Sequence, residues 1–507
     1  MPYDVIISGG GPVGLFLATE LALRDIGVLV LEKTKERHAP IKAGWMGMRG
    51  LNAPSLVALD WRGLLDEVRD AALLWKENST PDGDRENAKP SSGGHFATLP
   101  IQGDKIDALS DPFALRAPSV AISMESLEAI FERRAEQLGV LVRRGVEVTE
   151  IEQDEGGVTV RADGETFRGS WLVGCDGARS VVRKQGGFKF DGTEPQLTGY
   201  LASAVIADPE KLQSGFTLTP CGVYALGPGP ERVVLMDFDE GTAHDGQEVS
   251  LDHFQSILRR ISGTDVTVRE LNYASTWTDR ARQADTYRKG RILLAGDAAH
   301  IHSPLGAQGL NTGLADALNL GWKLAATIKG WAPAGLLDTY TRERHPAGAW
   351  ALRWTLAQVA VMRPDPWGHA ITEVMRDLIA THDGATYFAD KIAGTSQHYD
   401  LGDGHPLCGR PFPAFKIKDG AQLKTFLKDG AGILLDFRGD QELCELASRY
   451  DGRLKMVSAQ ALDTKGIAAL FIRPDGIVAW VWDGDTPLDR STANSVISSW
   501  MGKTETA

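Results

Sequence analysis

The start of the chain alternates apolar runs with a glycine-dense turn. Residues 4–8 form a short β-rich run, and residues 9–14 are mostly glycine. Apolar residues then recur on one helical face: Val13, Leu17 and Leu21. Gly27 interrupts that periodicity, and the apolar run at 28–31 has the length of a buried strand. The pattern predicts a strand, a turn, a helix and a second strand, which is the opening of an α/β domain.

The middle of the chain predicts a sheet inserted between two parts of this first domain. Residues 80–110 are rich in Gly, Pro, Ser and Asp, which predicts a long loop or lid. Short apolar runs predict buried strands at 170–175 and at 291–295. Between them, residues 196–280 carry several strand-like runs. That spacing is typical of an antiparallel sheet.

The last part of the chain predicts connecting helices and a small separate domain. Residues 350–395 show helical periodicity, and a stretch rich in proline and glycine at 406–413 marks a boundary. Apolar runs at 432–436 and 468–482 flank a predicted helix at 442–450. This order of elements predicts a small α/β domain.

Size and charge narrow the classes of function. The 507 residues are enough for about three domains, and 43% of them are hydrophobic, as in ordinary globular proteins. The net charge of −13 would repel phosphate backbones, so no nucleic-acid partner is expected. No apolar run reaches the roughly 18 residues of a membrane span. Because no signal peptide is visible either, we expect a cytoplasmic protein without a membrane partner.

Cysteine and histidine patterns predict neither a metal site nor a disulfide framework. The four cysteines form no C-x-x-C pair. His300 and His302 form an H-x-H pair, but no third ligand is evident, so no metal is expected. In the last domain only Cys408 and Cys444 occur, 36 residues apart. Thiol redox chemistry needs two neighbouring thiols, so none is predicted there.

A dinucleotide-binding fingerprint carries the strongest chemical signal. The turn reads GGGPVG from Gly9 to Gly14 and lies between a predicted strand and a predicted helix. Gly9 permits the tight turn, Gly11 lets the backbone approach a pyrophosphate, and Gly14 lets the helix pack on the strand. The helix N-terminus offers N–H groups and partial positive charge to that anion. Glu32 ends the second strand, where its carboxylate suits a ribose without a 2′-phosphate.

Two further motifs follow in order along the chain. The first reads CDGARSVVR from Cys175 to Arg183. The second reads GDAAH at 296–300 and PLGAQGLN at 304–311. Asp297 ends a predicted strand, so its carboxylate is placed to accept a hydrogen bond. Residues 309–311 lie at a predicted helix start, where free N–H groups stabilise negative charge.

With these three motifs in this order, the chain resembles the class A FAD-dependent aromatic hydroxylases over essentially its whole length. The resemblance is to the branch with a C-terminal thioredoxin-like domain, which includes phenol hydroxylase and the hydroxylases of aromatic polyketide antibiotics. It implies that NADPH or NADH reduces FAD and that O₂ then forms a flavin C4a-hydroperoxide. The distal oxygen would be transferred to an electron-rich aromatic substrate, polycyclic and derived from a polyketide.

The same resemblance implies a mixed α/β and α+β architecture. A Rossmann-like FAD-binding domain would be discontinuous, formed by residues 1–80, 111–190 and 281–350. Residues 81–110 and 191–280 would form an inserted antiparallel sheet that binds substrate, with its lid. Helices at 351–399 would connect to a thioredoxin-like domain at 400–507. That last domain would cover the other two or contact a second subunit of a homodimer.

The resemblance also assigns residues to the cofactors. FAD would contact the fingerprint and its surroundings: Gly9, Gly11, Pro12, Val13, Gly14, Glu32 and Lys33. It would also contact the two later motifs, at Asp176, Asp297, Pro304, Gly309, Leu310 and Asn311. Lys42 stands where many relatives carry an arginine, and Met124 where many carry a glutamine. Asp176, Arg179 and Arg183 would either capture NAD(P)H or form a structural salt-bridge cluster behind the flavin.

No obligatory catalytic acid or base is predicted, since the flavin carries the chemistry. Candidates for the aromatic-substrate pocket, each of which also fits a core role, are Trp45, Met46, Tyr200, Tyr224 and Met236. Two alternatives to hydroxylation stay open. One is a Baeyer–Villiger or ring-rearranging oxygenase on the same fold, and the other is a flavoprotein that senses or sequesters an aromatic ligand without turnover.

Overall fold

The computed structural model describes residues 3–79, 92–106, 119–227, 231–239, 246, 248–402, 405–413, 415, 417–418, 423–450 and 452–503. Its strands, in chain order, are β1 (Tyr3–Ser8), β2 (Val28–Glu32), β3 (Met48–Leu51), β4 (Ser92–Phe96), β5 (Leu99–Gln102), β6 (Val120–Ser123), β7 (Leu141–Arg144), β8 (Val148–Asp154), β9 (Gly157–Ala162), β10 (Glu165–Gly174), β11 (Phe190–Gly192), β12 (Thr198–Ile206), β13 (Gly215–Thr219), β14 (Gly222–Leu226), β15 (Arg232–Asp237), β16 (Val268–Thr278), β17 (Arg282–Ala284), β18 (Arg288–Lys289), β19 (Ile292–Leu294), β20 (His300–Ile301), β21 (Gly432–Asp436), β22 (Leu454–Ser458), β23 (Ala469–Ile472) and β24 (Val478–Trp482). Its α-helices are α1 (Pro12–Ala22), α2 (Ala53–Trp61), α3 (Leu65–Ser79), α4 (Met124–Gln137), α5 (Val181–Gln185), α6 (Leu251–Ser262), α7 (Gln308–Ile328), α8 (Thr339–Met362), α9 (Pro366–Ile379), α10 (His382–Ala393), α11 (Gln441–Ser448) and α12 (Arg490–Met501). None of the helices in these ranges is long and apolar enough to cross a membrane.

A sheet with a parallel centre organises the N-terminal part of the chain. Strand β1 lies between β2 and β10, β10 pairs with β19, and all three pairings are parallel. The centre of β1 is fully buried, as expected for a parallel strand inside an α/β domain. The carboxyl ends of these strands meet at one edge, and Gly9, Glu32 and Cys175 lie there. In open α/β sheets this edge is where ligands bind.

The inserted part of the chain forms an antiparallel sheet in the order β13-β14-β15-β12-β16. Helix α6 packs on one face of it through Phe254, Ile257, Leu258 and Ile261, whose i, i+3, i+4, i+7 spacing places them on one side. The other face carries Val223 and Met236, which pack with Leu305 of the segment between β20 and α7. The sheet is therefore closed by a helix on one face and directed toward the first domain on the other.

The predicted loop at 80–110 is wrong where the structure describes it. Strands β4 and β5 form a hairpin there, and Phe96 packs against Trp354 and Phe388. The turn residues Ala97 and Thr98 both have positive φ, 48° and 72°, which matches the right-handed twist of a two-residue hairpin. The hairpin forms because Phe96, with alternate apolar positions of β5, has an apolar surface to cover. Residues 80–91 and 107–110 of that prediction lie outside the described residues.

Helices α8, α9 and α10 follow α7 along the chain. The predicted helical segment at 350–395 contains the end of α8 and all of α9 and α10. Helix α7 begins at Gln308, just before residues 309–311, where the sequence predicts a helix start. Both differences are boundary shifts, which hydrophobic periodicity does not define sharply.

The C-terminal residues form a separate four-stranded sheet in the order β22-β21-β23-β24. Strands β21 and β22 are parallel, whereas β23 and β24 form an antiparallel hairpin. Helices α11 and α12 pack on it through a cluster that includes Leu443 and Ile497. Together with the two sheets above, this confirms the predicted α/β and α+β architecture. In this domain Cys408 is buried, Cys444 is exposed, and both are free thiols; the absence of thiol redox activity stays a prediction.

Candidate functional site

The three glycines of the fingerprint have different surroundings. A Cβ on Gly9, whose φ is +107°, would lie 2.3 Å from the carbonyl oxygen of Cys175, and one on Gly14 would lie 2.0 Å from that of Gly9. Side chains at these two positions would break the packing of the turn against β10 and α1. A Cβ on Gly11 has only one neighbour within 4 Å, an oxygen of Glu128 at 4.0 Å. Gly11 therefore borders open space, as a backbone that receives a pyrophosphate must.

The turn leaves hydrogen-bond donors free and holds an acid beside them. Gly11 is the N-cap of α1 and supplies no side-chain cap, and Pro12 occupies the first turn. The Gly10 N–H donates to Glu32 Oε2 at 2.6 Å, and the Thr34 N–H donates to Glu32 Oε1 at 2.8 Å. These bonds fix the Glu32 carboxylate at the end of β2 while leaving lone pairs for ribose hydroxyls. Lys33 is exposed, and its assignment to FAD stays a prediction.

An ion pair borders the open side of this turn. Lys42 Nζ lies 2.9 Å from both carboxylate oxygens of Glu128, although the two residues are 86 positions apart. Burial raises the pKa of Glu128, and the ammonium of Lys42 opposes that rise. The departure from arginine at position 42 thus leaves a cation beside Gly11, bound to an acid. Met124 lies half-buried at the start of α4, and its N–H donates to the Gly47 carbonyl; its thioether provides no N–H donor in place of the glutamine amide.

Asp297, His302 and Gly309 converge on one side of the loop that leads into α7. A Cβ on Gly309 would lie 4.0 Å from Asp297 Oδ1 and 3.7 Å from His302 Nε2. His302 Nδ1 lies 2.8 Å from the Ser303 carbonyl oxygen, and burial lowers the pKa of His302, so the ring is neutral at neutral pH. With the proton on Nδ1, Nε2 is an acceptor, and it is buried without a partner among the described residues. Asp297 itself is exposed, so its carboxylate is accessible to a ligand.

The first turn of α7 is shaped to present backbone donors. Its N-cap, Ala307, has φ +53° and makes no side-chain hydrogen bond to the helix. The first N–H groups of α7 are therefore not capped by a side chain. Asn311 Oδ1 accepts from the Ser55 hydroxyl at 2.7 Å, and Asn311 Nδ2 donates to the Ala307 carbonyl at 2.8 Å. The Asn311 side chain therefore holds the loop, and only its backbone is left for a cofactor. Pro304, at the other end of the loop, is exposed.

The DG motif divides into buried and exposed parts. Asp176 Oδ2 accepts from the N–H groups of Val181 and Val182 at the start of α5. Its Oδ1 is buried with no partner in the described part of the chain, and burial raises the pKa of Asp176. Arg183 is 4% exposed, donates to the Ala298 carbonyl and lies 3.8 Å over the Phe190 ring. Its assignment to NAD(P)H capture is thus corrected, because it is a buried structural residue, whereas Arg179 is exposed.

Strand register corrects two of the substrate-pocket candidates. Tyr200 and Tyr224 both pair with Leu235, so all three side chains share one face of the inserted sheet. That face is covered by α6: Tyr200 is fully buried and its hydroxyl lies 3.2 Å from His253 Nε2. Neither tyrosine can line a pocket on the flavin side. Met236 pairs with Gly199 and Val223 and lies on the opposite face, where it is almost fully buried, so its place in the substrate pocket stays a prediction.

A tryptophan that the sequence did not single out lies beside Met236. A Cβ on Gly199 would lie 2.0 Å from the indole of Trp277, so this ring covers the glycine closely. Trp277 packs with the cluster that contains Met236 and Leu305. Met46 is buried and Trp45 half-buried in the segment before β3. Trp277 and Glu128 were missed because contacts across strands and between distant segments have no local signal.

His300 is a structural residue. Its Nε2 lies 2.8 Å from Asp316 Oδ2, in a pair that solvent does not reach. Asp316 also accepts from the Gly296 N–H and from Arg344 Nε. Within the described ranges no group of three or more His, Cys, Asp or Glu side chains is arranged to hold a metal ion.

The residues present fit FAD. Gly11 leaves a space that a Cβ would enter, and the first turn of α1 has no side-chain cap. The carboxylates of Glu32 and Asp297 are placed at two strand ends, and unpartnered buried polar atoms remain at Asp176 and His302. A dinucleotide with two riboses or ribityl chains and a central pyrophosphate matches this donor and acceptor set.

Comparisons with known proteins match most of the chain to two family models. A family model described as "FAD binding domain" matches residues 2–355, and one described as "Aromatic-ring hydroxylase, C-terminal" matches residues 405–504. A monooxygenase of Claviceps purpurea is 43% identical over 503 residues, which are 98% of this chain and 97% of its own. A dialkyldecalin synthase of Streptomyces rugosporus is 35% identical over 509 residues, 99% of each chain. The solved structure of an anhydrotetracycline hydroxylase from Streptomyces rimosus superposes with a TM-score of 0.85, at 34% identity, covering 99% of this chain and 100% of that one.

Proposed function

The chain belongs to the FAD-dependent aromatic-ring hydroxylases, and from that membership we propose that it hydroxylates a polycyclic, polyketide-derived aromatic substrate with NAD(P)H and O₂. The observation that carries the proposal is the arrangement around Leu305. The loop that holds Asp297, His302 and Gly309 on one side packs, through Leu305, against the face of the inserted sheet that bears Met236. A cofactor ring at the loop would thus lie next to an apolar, aromatic-lined face.

The residues of this chain bind and orient the cofactor. The free N–H groups of α1 would hold the pyrophosphate near Gly11, and Glu32 and Asp297 would accept from hydroxyls of the ribose and the ribityl chain. The first turn of α7 would place its N–H groups and the positive end of its dipole against the pyrimidine edge of the flavin, where negative charge develops. FAD, when bound, supplies the redox and oxygen-transfer chemistry.

Arg179 is the side chain we assign to the nicotinamide cofactor. It is exposed in the segment between β10 and α5 and follows Asp176. Its Nη2 lies 3.7 Å from the position of a Cβ on Gly246, so it reaches toward the segment after β15. An exposed guanidinium can bind a phosphate through a bidentate contact, which suits the diphosphate of NADPH or NADH.

The chemistry of the pocket face favours a large planar substrate. Trp277 is half-buried and offers an aromatic ring that packs well on fused rings, and the polarisable thioether of Met236 lies in the same cluster. The related anhydrotetracycline hydroxylase is named for a substrate of this class. The relative named dialkyldecalin synthase favours a second candidate, a cyclisation without oxygen transfer, in which bound FAD would be structural.

The test is turnover of purified holoenzyme with a panel of polycyclic phenols, anhydrotetracycline included. We expect substrate-stimulated NADPH or NADH oxidation and a product heavier by one oxygen atom; product NMR separates hydroxylation from Baeyer–Villiger insertion. A product of unchanged mass without NAD(P)H oxidation would support the cyclisation. Ligand binding with neither product nor NAD(P)H oxidation would contradict both.

A further inference from the structure

A second cavity of about 550 Å³ lies behind α7, between α2, α8, the end of α10 and the β23–β24 hairpin. Helix α7 lines it with Leu314, Ala315 and Leu318, whereas Gly309, beside Asp297, lies on its first turn. None of the fingerprint or flavin-loop residues lines the cavity. It is therefore distinct from the cofactor site, and its volume is that of ordinary small-molecule sites, which are about 300–1,000 Å³.

The walls of this cavity are apolar and aromatic. Trp61 of α2 and Trp350 of α8 contribute indole rings, and Leu318 and Ile477 contribute aliphatic groups. Trp350 is already fixed, because it stacks on Trp354 at 5.5 Å with 20° between the ring planes. Two indole rings among the walls of the cavity favour a flat aromatic molecule over a flexible one.

The charged groups in the deep part of the cavity are neutralised by partners. Glu343 and Asp475 both accept from Arg473, and Glu343 also binds Lys323. Arg344 is paired with Asp316 and donates to the Tyr399 hydroxyl at 3.1 Å. A ligand in the interior would therefore meet little net charge.

The mouth of the cavity is cationic. Arg342 is exposed and Lys391 half-buried, and neither forms an ion pair within the described ranges. Lys391 Nζ lies 5.4 Å from the centre of the Tyr387 ring. This contact with a ring face uses none of the ammonium N–H groups in a hydrogen bond. Asp400 adds one carboxylate at the mouth, where it accepts from the Gly402 N–H at 3.1 Å, and the two cations outnumber it by one. The position of the cations at the opening would orient an anionic group outward and an apolar body inward.

We propose that this cavity is a second small-molecule site, which binds a planar aromatic anion with its rings between Trp61 and Trp350 and its acidic group at Arg342 and Lys391. The site is independent of turnover, so its test does not depend on the proposed reaction.

The test uses two matched fluorescent probes with the FAD-loaded protein. One is 8-anilinonaphthalene-1-sulfonate, and the other is N-phenyl-1-naphthylamine, which has the same rings and no charge. Ala347→Trp fills the cavity from α8 and is expected to weaken both probes by about tenfold or more, because the rings lose their space. Arg342→Ala is expected to weaken only the sulfonate, by about two- to fivefold, the size of one exposed charge contact. Arg353→Ala, an exposed arginine of the same helix outside the cavity, is the control and should change neither.

The design separates binding from folding. FAD content and circular dichroism are measured for each variant, and Arg342→Glu, at an exposed position, replaces Ala347→Trp if the latter does not fold. That reversal should weaken the sulfonate probe by about tenfold and leave the neutral one unchanged. The proposal is overturned if the wild type shows no saturable binding, if the folded Ala347→Trp variant binds both probes as the wild type does, or if a change at Arg342 has no more effect than Arg353→Ala.

Discussion

Arg473 in the C-terminal domain and Glu343 in α8 form a two-pronged ion pair, with Nη1–Oε1 at 2.9 Å and Nη2–Oε2 at 2.8 Å. Neither side chain is more than 4% exposed. Lys323 and Asp475 complete the cluster, so the charges balance across the domain boundary. The C-terminal domain is thus fastened to the helices behind the cofactor loop.

Breaking this pair should destabilise the protein strongly. Arg473→Met leaves Asp475 without its guanidinium and Glu343 with Lys323 alone, and we expect a loss of about 3–5 kcal/mol, the usual result when one partner of a buried pair is removed. Thermal unfolding followed by flavin fluorescence measures it. Arg490→Met, which removes an exposed ion pair of α12, is the control and should cost less than about 1 kcal/mol. Equal melting temperatures for the two variants would contradict the role of Arg473.

The same cluster predicts a pH dependence of stability. Burial lowers the pKa of Lys323 from 10.5 to about 8, so above that pH the unfolded chain binds more protons at this site than the folded one. Stability therefore rises with pH between the two values, by about 2 kcal/mol from about pH 7 to about pH 9.5. Lys323→Met has no titrating group at this position. The unfolding free energy of the wild type should therefore rise relative to that of the variant between about pH 7 and about pH 9.5. A difference that is constant with pH would show that Lys323 titrates normally.

Gly11→Val should give a folded protein without FAD. The backbone of Gly11 has φ −77°, which any residue adopts, and the side chain would enter the space of the pyrophosphate rather than the packed turn. Gly14→Val is the contrasting variant, because its side chain would clash with the Gly9 carbonyl and disrupt the turn itself. Flavin absorbance per chain and circular dichroism distinguish the two. Full FAD content in Gly11→Val would rule out this position for the cofactor.

Asp297→Ala should weaken FAD binding by about 1.5–3 kcal/mol, the value of a hydrogen bond to a charged group. The folded state should be little affected, since the Asp297 side chain is exposed. Titration of the apoprotein with FAD gives the dissociation constant. Asp191→Ala, an exposed aspartate of β11, serves as the control and should bind FAD as the wild type does. An unchanged constant for Asp297→Ala would remove this carboxylate from the site.

Ala307 holds a backbone conformation that costs free energy. With φ +53°, its Cβ crowds the neighbouring carbonyl, at about 1–2 kcal/mol. Ala307→Gly relieves this and should leave stability unchanged or raise it by up to about 1 kcal/mol, after the entropy of the unfolded glycine is subtracted. Ala315→Gly, the same change inside α7, should instead lower stability by about 1 kcal/mol. Denaturant unfolding of both variants measures the two changes in stability. Equal losses of stability would show that the backbone of residue 307 is not strained.

The parts of the site that the sequence predicts are those whose chemistry lies within a few consecutive residues. The fingerprint from Gly9 to Gly14 is local, since strand, turn and helix all follow from neighbouring positions. The ion pair of Lys42 with Glu128 depends on how two distant segments pack together, and the sequence pattern of neither segment predicts it. An acid on the otherwise apolar face of α4 was the available hint.

Face assignments in the inserted sheet could not be predicted for a related reason. Alternation shows that Tyr224 and its neighbour Val223 point to opposite faces, but not which face meets α6. The register pairs Tyr224 with Leu235 and Met236 with Val223, and which of these faces is covered depends on where α6, a later segment of the chain, packs. The hairpin at 92–102 could not be predicted either, because its glycine-rich composition favours a loop. It forms because Phe96 packs in an apolar cluster with distant parts of the chain.

The close cover of Gly199 by Trp277 bears on how this protein could be redesigned to accept other molecules. Any side chain added at Gly199 would push the indole away from the sheet, since the two already touch. A smaller side chain at residue 277 would therefore enlarge the space on this face of the inserted sheet. A larger side chain at residue 199 would only reduce that space. Mutant libraries intended to change the range of accepted molecules should therefore vary Trp277 and keep Gly199.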